Sequence, residues 1–100
     1  MNVQIQFPKT GFSDDEVKKT IDYALRQELE QTRLRRDHFA AACRRFELMY
    51  GMDSDAFLEK FEAGELGDDA DFFDWFAAKR GYDLWEKRYQ ILRELVGESA

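Results

Sequence analysis

The chain has 100 residues, of which 44% are hydrophobic, 36% charged and 15% aromatic, with a formal net charge of −6. This length allows one domain, residues 1–100, and the aromatic content excludes a disordered tail. The charge is uneven: Met1 to Arg45 holds nine Lys+Arg against seven Asp+Glu, whereas Phe46 to Ala100 holds six against fourteen. An acidic second half repels phosphate backbones, so nucleic acid is a poor partner and a basic protein a better one.

In chain order, Val3, Ile5 and Phe7 alternate with Gln4 and Gln6, which predicts a short strand ending at Pro8. Ser13-Asp14-Asp15-Glu16 has the pattern of a capping box and opens a helix. Val17, Ile21, Ala24, Leu25 and Leu29 mark its first face, and no Pro or Gly interrupts it before Gly51. Such a helix is about 55 Å long. From Arg26 to His38 its only large apolar residues are Leu29 and Leu34, which predicts a stretch exposed or covered by another chain.

The apolar stripe resumes with Phe39, Ala42, Cys43, Phe46, Met49 and Tyr50. Asp53 or Ser54 then caps a short helix carrying Phe57, Leu58 and Phe61, closed by Gly64. Asp68 or Asp69 caps the last helix, whose Phe72, Trp75, Phe76, Tyr82, Trp85, Tyr89, Leu92 and Val96 recur at helical spacing. Gly81 inside that pattern marks a kink or a close helix contact. The expected fold is mainly α: a long helical hairpin with a short middle helix and a short N-terminal β-strand. Its core is expected to pack Trp75, Trp85, Phe72 and Tyr89 against Phe39, Phe46 and Met49.

Few residues carry chemistry. Cys43 is the single cysteine, which excludes an internal disulfide and a cysteine-rich metal site. Asp68, Asp69, Asp71 and Asp74 lack the ligand spacing of a calcium loop, and Glu59/Glu62 or Asp83/Glu86 lack the histidines of a di-iron site. No cofactor is expected. Neither a signal peptide nor an apolar run long enough to span a membrane is readable, and a cytoplasmic location is expected.

Arg33 and His38 have the spacing of the Arg and His pair in helical HEPN-type ribonucleases, where they could hold a phosphate and move a proton. The residue after Arg33 is Leu, where that signature has a small polar one, and a solvated basic face is the favoured reading; no enzyme is expected. A strand followed by a helix also suggests a ribbon-helix-helix DNA-binding dimer, with Gln4 and Gln6 reading bases, but that fold needs a turn where this helix runs on.

The run from Tyr50 to Asp69, with Phe61-Glu62-Ala63-Gly64-Glu65-Leu66-Gly67-Asp68-Asp69 at its end, continues into Asp71-Phe72-Phe73-Asp74-Trp75. This segment resembles short helical antitoxin-like proteins of archaea and bacteria encoded beside small toxins, including the partners of TumE-type toxins. The resemblance covers about residues 50–75. It implies a protein-binding subunit that neutralises a cognate toxin, in which a small basic toxin would meet the acidic half. A lone strand must pair with another chain, so a homodimer or a partner's sheet edge is expected. Val3, Ile5, Phe7, Arg33 and Arg36 are the candidate partner-binding residues. A ribonuclease, a dimeric scaffold and a DNA-binding dimer are the alternatives.

Overall fold

The computed structural model describes residues 8–97. It holds three helices: α1, Asp14–Tyr50; α2, Ser54–Glu62; and α3, Ala70–Leu95. Among the described residues there is no strand, and the strand expected over Val3, Ile5 and Phe7 lies outside them. The rod measures 59 × 25 × 21 Å, its length being that of α1.

The helix ends follow local chemistry. Ser13 accepts from the Glu16 amide and Glu16 returns a bond from the Ser13 amide, so the capping box closes. Gly51, at φ 67°, ends α1 in the left-handed conformation that costs glycine least. Of the alternatives the sequence left open, Asp53 caps α2 and Asp69 caps α3.

Helices α1 and α3 lie antiparallel. Tyr50 meets Asp71, Phe46 stacks on Trp75, Phe39 sits against Gly81, Arg36 reaches Glu86, and Arg26 donates to the Val96 carbonyl. The contacts step back along α1 from Tyr50 to Arg26 as they step forward along α3 from Asp71 to Val96. α2 closes the end of the hairpin. Phe57 lies flat on Trp75 at 3.9 Å between centroids, and both are fully buried. The Trp75 indole donates to Ser54 Oγ at 2.9 Å, so the polar edge of the largest core residue is satisfied.

Two expectations change, and the alternative left open at Gly81 is resolved. Met49 is 63% exposed and takes no part in the core, because Tyr50 fills the adjoining seam position and stacks on Trp75. The stretch from Arg26 to His38 does not wait for another chain on its inner face, since α3 covers it there. Leu29 and Thr32 are buried in that seam, Thr32 at 1% exposure with its hydroxyl directed at Glu28, and Arg36 fills the next layer. Gly81 marks a contact: a Cβ there would stand 2.6 Å from the Phe39 ring.

The two helices differ in length, and the hairpin ends unevenly. α3 runs out opposite Arg26, so α1 from Asp14 to Leu25 projects about three turns beyond it.

Candidate functional site

The arginine-bearing stretch of α1 forms a neutralised network. Arg33 donates to Glu30 and Asp37, Arg35 to Glu28, and Arg36 to Asp37 and Glu86. The hydrogen bond to Glu30 holds the Arg33 pKa above its ordinary value. Burial opposes the charge of Arg36 most strongly of any single influence, yet its bonds to Asp37 and Glu86 together raise its pKa. Its guanidinium also lies 4.4 Å from the Tyr89 ring centroid, while Arg35 and Arg88 each lie 4.9 Å from that of Trp85. With carboxylates filling their forks, Arg33, Arg35 and Arg36 offer little to a phosphate.

His38 stands about 140° around the α1 axis from Arg33. It is exposed and sets its ring edge-on to Phe39. Within one chain the two side chains leave α1 in different directions. Arg36 is drawn into the seam between α1 and α3, whereas Arg33 keeps an open outer edge; the other candidate partner residues, Val3, Ile5 and Phe7, lie outside the described residues.

A cleft of about 280 Å³ at the junction of the three helices is lined by Cys43, Arg44, Glu47, Ser54, Lys79 and Tyr82, among others. Lys79 is buried and bonded at 2.8 Å to both Asp55 and Asp83. Burial disfavours its charge, but the two carboxylates outweigh burial and push its pKa up. The amine therefore stays protonated and is no nucleophile. Burial likewise pushes the Cys43 thiol up, against the hydrogen bond with Ser54. Among the described residues no group of three or more His, Cys, Asp or Glu converges in a way that could hold a metal ion.

No protein family, curated protein or solved structure matches the chain. The functional reading rests on its own surfaces.

The most polarised of these is the closed end of the hairpin. From Gly51 to Asp69, α2 and its flanking turns hold seven acidic residues and one basic residue, Lys60. Glu59, Glu62, Glu65, Asp68 and Asp69 are all exposed. Beside them Phe73 is 54% exposed and set edge-on to Phe61. Tyr50 donates to Asp71 at 2.7 Å, and that bond, with burial, pushes its phenol up to about 12. The acidic bias of the second half of the sequence is concentrated at this end. α3 contributes little to it, because its five acidic and five basic residues cancel. Among the described residues no helix is long and apolar enough to cross a membrane.

Proposed function

We propose that this chain is a protein-binding subunit, an antitoxin that neutralises a small basic toxin by direct contact. The observation that carries the reading is the closed end of the hairpin, where exposed Phe73, set against Phe61, adjoins five exposed carboxylates. Apolar area supplies affinity and the acidic surround steers a cationic partner towards it. The same segment carries the resemblance to antitoxin-like proteins. The stable protonation of Lys79 and the carboxylate-bound arginines favour binding over catalysis.

The test is capture of the product of the neighbouring gene by the purified chain, with relief of that product's toxicity on co-expression. Glu59→Lys, Glu62→Lys and Glu65→Lys combined should weaken capture at least tenfold without changing the melt, since all three side chains are exposed. Capture undiminished by that reversal refutes the acidic end as the binding surface. Absence of both capture and relief with the parent refutes the antitoxin reading.

A further inference from the structure

The overhang of α1 has a pattern of its own. Val17, Ile21 and Leu25, only partly covered, recur at intervals of four and form an oblique apolar ridge; a groove lined by Phe12, Glu16, Val17, Thr20 and Ile21 runs beside it. Along one flank of the ridge lies a second row, also at intervals of four: Asp14, Lys18, Asp22 and Arg26. Its charges alternate in sign.

We propose that this face pairs with the same face of a second copy of the chain, the two α1 helices crossing antiparallel about Ile21. Reversal of an alternating row sets Asp14 against Arg26 of the copy and Lys18 against Asp22, so every charge meets its opposite. A parallel approach would set like against like. The apolar ridge is also symmetric under reversal, since Val17 meets Leu25 and Ile21 meets itself. Ridges at intervals of four interdigitate at about −50°. Asp22 already bonds Arg26 at 2.9 Å within the chain, so the copy's Lys18 would join an existing pair and extend it across the interface. The isologous arrangement closes at two copies. It involves neither the acidic end nor residues 1–7, and stands or falls independently of the toxin reading.

Three turns of helix make a contact smaller than a standard interface, so the dimer should be reversible and concentration-dependent. Sedimentation equilibrium on the full chain should show mass rising from one copy towards two. Ile21→Glu should remove the heavier species, and Lys18→Glu should weaken it at least tenfold by placing like charges together. Adding Asp22→Lys to Lys18→Glu restores opposite signs and should recover the dimer. Ile21→Glu and Lys18→Glu should melt as the parent does at concentrations where the parent is a single copy, because these two positions lie beyond the end of α3. A one-copy mass at every concentration overturns the proposal. So does a dimer indifferent to Ile21→Glu or Lys18→Glu, or a charge swap that fails to restore association.

Discussion

Trp75 is the residue on which the closed end of the hairpin depends, and truncating it gives a sharp test of the packing. Its side chain is fully buried, lies flat on Phe57 at 3.9 Å, stacks on Phe46 and Tyr50 at 5.7 Å, and donates to Ser54. Trp75→Ala removes the contacts of α3 with both α1 and α2 at this end and leaves a cavity that the rings around it cannot all close. Truncating a buried aromatic to Ala costs about 3 to 5 kcal/mol, and the lost hydrogen bond adds roughly 1 kcal/mol. A small domain holds about 5 to 15 kcal/mol in total, and a narrow two-helix rod belongs near the lower end. The variant should therefore be largely unfolded at 25 °C. Trp75→Phe keeps a ring in the stack but drops the bond to Ser54, and should cost about 1 to 3 kcal/mol, at roughly 4 to 8 °C per kcal/mol. Circular dichroism melts of parent and variants give both numbers. A Trp75→Ala melt within a few degrees of the parent would refute the account of the core.

Two further predictions concern single contacts. Gly81→Ala gains about 1 kcal/mol of helix propensity but drives a Cβ to 2.6 Å from Phe39, an overpacking worth about 1 to 3 kcal/mol. It should lower the melting temperature in the parent and raise it in a Phe39→Ala background; the same sign in both would show that the ring is not the obstacle. In an absorbance titration Tyr50 should ionise late, since its phenol is pushed from the ordinary 10 up to about 12. A folded pKa raised above the unfolded one contributes stability that is complete below pH 10 and lost as pH rises through 12. Tyr50→Phe should flatten that alkaline fall in stability; an unaltered pH profile would dismiss the Asp71 bond as its source.

Much of the architecture was legible in the residues because it is set by neighbours in sequence. The capping box at Ser13, the stop at Gly51 and the Asp caps of α2 and α3 are contacts within a few residues, and the aromatic spacing of α3 announces its buried face. The candidate site was legible only in outline: the sequence carried the acidic bias, and the fold concentrated it at one end by letting the charges of α3 cancel. What tertiary structure alone decided is the fate of side chains whose burial depends on what lies across the seam. Arg26 to His38 looked too polar to cover, yet Tyr89 presents a ring face and Glu86 a carboxylate opposite Arg36, and a guanidinium can be enclosed where both are available. Lys79 is buried because Asp55 arrives from α2 to share its charge with Asp83, and Met49 is left outside because Tyr50 reaches Trp75 first. Periodicity tells which residues share a face of a helix. The shape and charge of the opposing helix decide which of them that face can bury.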